Sequence, residues 1–259
     1  ADQGAYRPGI IAVTAGGADG APVTIRGVDG AGNTMRAEIV GTRGEPWVRG
    51  MPDGAEVFRL LSGADHLSFQ DMSFRNVGNG AFRIGADIQD LTLEHMGAVN
   101  VRRFVENIVS GTNTSASCDG LTIRDVTVDG YSKGAIRLQY ATRDVLIEDV
   151  RGDSQFQDGD NFAIGVHLSG SVQDVVLRRV TMMNSLDTLN RYRNGDGFAA
   201  EAGVTRVLFE DTVASGNSDA GYDLKSSETV LVRAVAEGNS RNFRFWNNSF
   251  VTDDCVSLN

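Results

Sequence analysis

Four aspartates in matching turns are the first residues whose types and spacing point to chemistry. They lie in Asp158-Gly159-Asp160-Asn161, Asn194-Gly195-Asp196-Gly197 and Asn217-Ser218-Asp219-Ala220-Gly221, the last running into Tyr222-Asp223-Leu224. One aspartate in such a turn ordinarily accepts hydrogen bonds from its own backbone. Three turns of one make, each leading into an alternating apolar segment, would instead set Asp160, Asp196, Asp219 and Asp223 side by side. Clustered carboxylates either take up protons or share a hard cation, and Ca2+ accepts six to eight oxygen ligands. Basic residues stand close: Arg244 between Phe243 and Phe245, Lys225 two residues after Asp223, and Arg191 and Arg193 just before Asp196. The three histidines, His66, His95 and His167, are dispersed, match no metal spacing or triad, and are expected to be structural. No Gly-x-Ser-x-Gly elbow and no phosphate-cradling loop occurs.

These residues need a scaffold that repeats. Apolar-x-apolar triplets recur at Leu67-Ser68-Phe69, Leu91-Thr92-Leu93, Leu121-Thr122-Ile123, Val145-Leu146-Ile147, Val175-Val176-Leu177, Val207-Leu208-Phe209 and Val230-Leu231-Val232, with starts 23 to 32 residues apart. The alternation is that of a short strand with one buried face, continued after a bend by Met72, Met96, Val126, Val150, Val180 and Val235, with Thr212 the polar exception. A second row follows at Phe82-Arg83-Ile84, Ile136-Arg137-Leu138, Phe162-Ala163-Ile164, Phe198-Ala199-Ala200, Tyr222-Asp223-Leu224 and Phe243-Arg244-Phe245, while 101–109 fits it poorly. Short strands at this period, divided by Gly, Asn, Asp and Ser turns and lacking helical stretches, predict an all-β solenoid. The reading is a single-domain right-handed parallel β-helix of about eight to nine coils over 1–259, its first and last coils incomplete. An antiparallel sandwich is the alternative, but sandwiches lack this column-by-column recurrence. Inward, Phe82, Ile136, Phe162, Phe198, Tyr222 and Phe243 are expected to stack; outward, Arg83, Arg137, Ala163, Ala199, Asp223 and Arg244 form one ridge.

Composition narrows the function. The 259 residues carry 24 Lys+Arg against 34 Asp+Glu, a net charge of −10 with a pI of about 4.8, which argues against nucleic acid as partner. No apolar run approaches the roughly 18 residues of a membrane helix, so no membrane span is expected. Cys118 and Cys255 are too few for a disulfide framework and lie about five coils apart. The opening Ala-Asp-Gln-Gly-Ala-Tyr shows no signal-peptide pattern.

The run Asn194-Gly195-Asp196-Gly197-Phe198, then Asn217-Ser218-Asp219-Ala220-Gly221-Tyr222-Asp223, then Asn242-Phe243-Arg244 resembles the family 9 polysaccharide lyases, pectate-lyase-like enzymes built on a right-handed parallel β-helix. The likeness is carried by about residues 190 to 245. It implies Asp196, Asp219 and Asp223 as Ca2+ ligands and β-elimination on a uronic-acid polymer. Ala220 stands where that family has a further Asp, a place Asp160 is expected to fill, and Arg244 stands where it has its Lys base. Arg244 is therefore the implied base, with Lys225 as the alternative, and Arg137, Arg191, Arg193 and Glu201 are expected to meet the acidic polysaccharide. The resemblance also implies a secreted or periplasmic location. Two other functions stay open. Asp253-Asp254-Cys255 together with Asn194-Gly195-Asp196-Gly197 resembles motifs of β-helical polygalacturonases, and a non-catalytic carbohydrate-binding or surface-structural β-helix would use the same acidic column only for stability.

Overall fold

The alternating triplets form strands because the residues between them bend in the left-handed region. His66, Asp71 and Asn76 have φ of 51°, 56° and 59°, and one coil later Asp90, His95 and Asn100 have 52°, 55° and 52°. Asp, Asn and His tolerate this region better than most residues because their short polar side chains bond locally. Each such corner turns the chain by one face, and repetition of the corners closes a coil.

The computed structural model describes residues 4–247 and 250–259. Twenty strands join in one sheet, every strand pair is parallel, and no helix occurs among the described residues. The architecture is a right-handed parallel β-helix. One inward row runs in register through Ile11, Phe58, Phe82, Val105, Ile136, Val166, Phe198, Tyr222 and Phe243. Its aromatic parts stack: Phe198 on Tyr222 at 4.9 Å and Tyr222 on Phe243 at 5.0 Å, both nearly coplanar. Such pairs contribute roughly 0.5–1.5 kcal/mol each beyond their buried area.

The corresponding outward row is Arg59, Arg83, Glu106, Arg137, His167, Ala199, Asp223 and Arg244. Neighbours along it are one strand spacing apart, about 4.8 Å. This row carries the candidate chemistry, and two of its members differ from the sequence reading. Phe162 does not face the core: it is 43 % exposed with a φ of 58°, and the strand is Ile164–Leu168, which puts Val166 inward and His167 outward where Phe162 and Ala163 were expected. The shift is four residues, and an even shift preserves the inside–outside alternation that the sequence displays. The segment 101–109, which fitted poorly, belongs to the strand Ile88–Asn107 and supplies Val105 and Glu106.

A one-residue shift occurs near the C-terminal end. Phe209 pairs with Leu231 and Val207 with Thr229, so Thr229, Leu231, Ala234 and Ala236 are buried, whereas Val230, Val232 and Val235 are only half-buried. Thr229 is satisfied inside by a 2.8 Å bond with the Ser226 hydroxyl. Thr212, the polar exception, is likewise buried and bonds the Tyr222 hydroxyl at 2.9 Å.

Candidate functional site

The acidic column is built at the entry to successive strands of the outward row. Asp196 opens Asp196–Ala200, and its flanking glycines are a packing requirement. A Cβ at Gly195 would lie 2.2 Å from the Ser218 hydroxyl, and one at Gly197 would lie 2.8 Å from the Gly221 carbonyl. Asp219 precedes, and Asp223 lies within, the next strand, Ala220–Leu224.

The three carboxylates occupy different environments. Asp196 is wholly buried; its Oδ1 accepts the Ala220 N–H at 2.8 Å and its Oδ2 has no hydrogen-bond partner. Burial, with Asp223 and Asp219 adding like charge, pushes its carboxyl up to about 7. Asp223 Oδ1 accepts Arg244 Nε at 2.8 Å and the Trp246 indole N–H, and its Oδ2 is 3.2 Å from Lys225 Nζ. Burial pulls Asp223 upward, yet the bonds from Arg244 and Trp246 hold it below the ordinary carboxylate value. Asp219 Oδ1 accepts Arg241 Nη1 at 2.5 Å and its Oδ2 accepts Arg244 Nη2 at 3.2 Å.

The basic partners are correspondingly fixed. Arg244 is raised above its ordinary value, chiefly by its bond to Asp223. Burial works against the charge on Lys225, but Glu201, reached by Nζ at 3.0 and 2.9 Å, and Asp223 raise it overall. Both implied bases are thus held protonated, which removes either as a proton acceptor in this arrangement. The indole of Trp246, 59 % exposed, lies 5.4 Å from the Arg244 guanidinium and 5.9 Å from Lys225 Nζ. Arg191 and Arg193 come to the same place: with Tyr192, Asp219, Arg241 and Arg244 they line an open cavity of about 500 Å³.

Asp160 is not brought to this cluster. The rung beside Asp196 is Ile164, and Asp160 instead accepts Arg102 Nε at 3.2 Å and the Ser132 hydroxyl at 2.5 Å, next to the buried Arg43. The physical reason is the same four-residue shift, which leaves 158–163 in a loop.

The calcium ion that the resemblance implies is not matched by this donor set. Five of the six oxygens of Asp196, Asp219 and Asp223 are taken by the chain's own donors, and Asp196 Oδ2 alone is left. Arg241, Arg244 and Lys225 are ion-paired with Asp219, Asp223 and Glu201, while Asp196 pairs with none of them, so the cluster's cations are matched by carboxylates. Ala220 lies opposite Arg241 in register, so the missing carboxylate and the added guanidinium occupy adjacent rungs. Among the described residues no three His, Cys, Asp or Glu side chains are arranged to hold a metal ion.

A second cavity, of about 380 Å³, opens on the same row toward the N-terminal side. It is lined by Arg103, Lys133, Arg137, Phe162, Ile164 and His167. Arg137 and His167 are neighbours in register. His167 Nε2 and Arg137 Nε are both buried without a hydrogen-bond partner. Burial first, then Arg137, Arg103, Lys225 and Lys133, lower the imidazole to about 4, so it is neutral near pH 7. The sequence reading missed His167 because it placed Ala163 on this rung. The available signal was Gly165-Val166-His167-Leu168, an equally good alternating segment four residues on.

No family model and no curated protein matches the sequence. Solved structures do match the fold. The pectate lyase Pel9A superposes with a TM-score of 0.65 at 16% identity, covering 98% of this chain and 64% of that one. A rhamnogalacturonan lyase gives 0.52 at 13% identity, covering 97% and 73%. The GH136 lacto-N-biosidase from Eubacterium ramulus gives 0.51 at 9% identity, covering 98% and 60%. This chain therefore spans about two thirds of the pectate lyase's length, and shares with all three the parallel β-helix scaffold.

Proposed function

We propose that the protein is a polysaccharide lyase that cleaves a uronic-acid polymer by β-elimination along the outward row from Arg137 to Arg244. The observation that supports this best is the concentration of cations on one ridge of a protein with a net charge of −10: Arg103, Lys133 and Arg137 at one cavity, Arg191, Arg193, Arg241 and Arg244 at the other. Such a ridge counters the long-range repulsion that an acidic protein would exert on an acidic polymer. The exposed rings of Trp246, Tyr192 and Phe162 beside these cations offer faces for sugar rings. The solved lyases of this fold add support without selecting the activity, since a lacto-N-biosidase shares the scaffold.

The chemistry follows from where charge develops. Removal of the C5 proton leaves negative charge on the uronate carboxylate, which fixed guanidinium donors stabilise, and the C4–O4 bond then breaks. Arg244, anchored by Asp219 and Asp223, supplies such a donor rather than a base. A hydrolase would exploit the opposed shifts of Asp196 and Asp223 as an acid and base pair. Asp196 is wholly buried, however, and Asp253 ends Phe250–Asp253 in a different row, so neither meets a substrate beside Asp223. A secreted or periplasmic location is part of this proposal; among the described residues no helix is long and apolar enough to cross a membrane.

The test is incubation with pectate, alginate and glucuronate-containing polymers, with calcium or with chelator, following ultraviolet absorbance from 4,5-unsaturated ends. The expected result is absorbance on one polymer that survives chelation. Reducing ends without absorbance would establish hydrolysis instead, and neither signal on any polymer would reject the enzyme reading.

A further inference from the structure

The two cavities differ in charge balance, and the difference singles out the N-terminal one. Across the outer corners of the helix, cations meet carboxylates on the adjacent coil: Arg179 on Asp149, Arg206 on Asp174 and Arg233 on Asp211. In the acidic cluster they do the same. Around His167 they do not. Arg103 is ion-paired with Glu106, whereas Lys133 and Arg137 make no ion pair among the described residues, and Asp160 and Glu106 act on them only from longer range. Lys133 reaches only a backbone carbonyl, of Asn161 at 2.8 Å, and Arg137 only the Gln139 amide oxygen at 2.8 Å.

Burial lowers all three cations below their ordinary values, and Arg103 adds to the effect on Lys133. Mutually repelling cations gathered around a cavity, one buried and two half-buried, are relieved by an anion. Two buried nitrogens without partners, Arg137 Nε and His167 Nε2, belong to residues lining the same cavity. Buried polar atoms are almost always satisfied, so two orphans on residues that line one cavity add to its shortage of polar partners.

We propose that the cavity lined by Arg103, Lys133, Arg137 and His167 is a carboxylate-binding subsite for one uronate unit, and that the His167 imidazole, whose side chain is 19 % exposed, accepts that unit's C5 proton. The inference rests on the lyase reading and supplies the base that Arg244 and Lys225 cannot. Arg137, one rung from His167, holds the carboxylate. The imidazole gains the C5 proton, the C5–H pair becomes the C4–C5 double bond, and O4 leaves with the C4–O4 pair and takes a proton from water. The hydroxide so formed is neutralised by the imidazolium, which restores the free base.

Substrate itself tunes this base. Arg137, Arg103, Lys133 and Lys225 all disfavour an imidazolium, while Glu201, 3.9 Å from Nε2, and Glu106, Asp160 and Asp223 are the carboxylates facing them. A bound carboxylate cancels part of that positive field, so the imidazole gains basicity only when a uronate is in place.

The experiment is an NMR titration of the His167 imidazole in the whole chain, free and with saturated trisaccharides of galacturonate, glucuronate or mannuronate, alongside turnover on the responsive polymer. With one trisaccharide the imidazole titration is expected to move upward by about one pH unit or more. Arg137→Met should weaken binding at least about tenfold and abolish that movement. His167→Gln should bind within about threefold of wild type, keep its melting temperature, and lose about 100- to 10,000-fold in kcat. Retained binding in Arg137→Met, or retained kcat in His167→Gln, overturns the assignment while leaving lyase activity in place. A shifted imidazole without unsaturated ends on any polymer overturns the lyase reading and the proton transfer together, and no shift with any trisaccharide overturns the subsite.

Discussion

Asp196→Asn separates a self-neutralised acidic cluster from a cation site. In the folded chain the Asp196 carboxyl is pushed up to about 7, against 3.8 for an ordinary aspartate such as it becomes on unfolding. Between those pH values the unfolded chain releases a proton that the folded chain keeps. The stability this group contributes is therefore whole below about pH 3.8, falls as pH rises toward 7, and is flat beyond. A gap of about three pH units is worth no more than about 4 kcal/mol, at 1.36 kcal/mol per unit. The asparagine amide oxygen still accepts the Ala220 N–H, and its amide N–H groups take the place of the orphaned Oδ2 among carboxylates. Urea unfolding of both proteins at about pH 4.5, 6 and 8 should show a difference of about 1 kcal/mol at the lowest pH that grows in favour of the variant, up to about 4 kcal/mol at the highest. Groups such as Asp223, whose depressed carboxyl gives the opposite slope, titrate in both proteins and cancel in the difference. A variant less stable than wild type at pH 8, or a wild type stabilised by millimolar calcium where the variant is not, would refute the reasoning.

Further outcomes follow from the same geometry. Arg244→Gln removes one donor from each of Asp223 and Asp219 and one positive charge beside them, so calorimetry should detect calcium binding in the variant at least about tenfold tighter than in wild type; equal affinities would show that the arginine does not occupy the cation position. Tyr222→Leu removes two stacked ring contacts and the partner of the buried Thr212 hydroxyl, and should cost about 2–4 kcal/mol in urea unfolding; a loss below about 1 kcal/mol would mean that the aromatic row contributes little. Burial raises the Cys118 thiol to about 12, so a thiol reagent at mild alkaline pH should label the half-buried Cys255 rapidly and Cys118 only after denaturation. Rapid labelling of both in the native protein would contradict the packing of the strand that begins at Cys118.

The scaffold was readable because a solenoid writes its period into the sequence, and each coil repeats one burial pattern against its neighbours. What the pattern does not encode is offset. Phe162-Ala163-Ile164 and Ile164 to Leu168 alternate equally well, and only the long loop through 158–163 decides between them; the choice moved His167 onto the functional row and Asp160 off it. Thr229-Val230-Leu231-Val232 is ambiguous by one residue, because a threonine satisfied by Ser226 fits the core as well as a valine does. Both errors arose where apolar residues occupy both parities or where a polar one is paired inside, which are the places where hydrophobicity stops reporting orientation.

The acidic cluster shows the complementary limit. Residue types alone placed Asp196, Asp219, Asp223, Lys225 and Arg244 near one another, and the structure brings these five together. Their chemistry turns instead on which donors reach which oxygens. Arg241 begins the strand Arg241–Phe245 beside Ala220, and Trp246 follows its end; neither falls at the alternating positions from which function was read. Carboxylates count as cation ligands only while their lone pairs are free, and Arg241, Arg244, Lys225 and Trp246 take those of Asp219 and Asp223. An arginine in a lysine's place, next to an alanine in an aspartate's place, therefore changes the cluster from a site that needs an ion to one that supplies its own, and the uncompensated cations lie around His167.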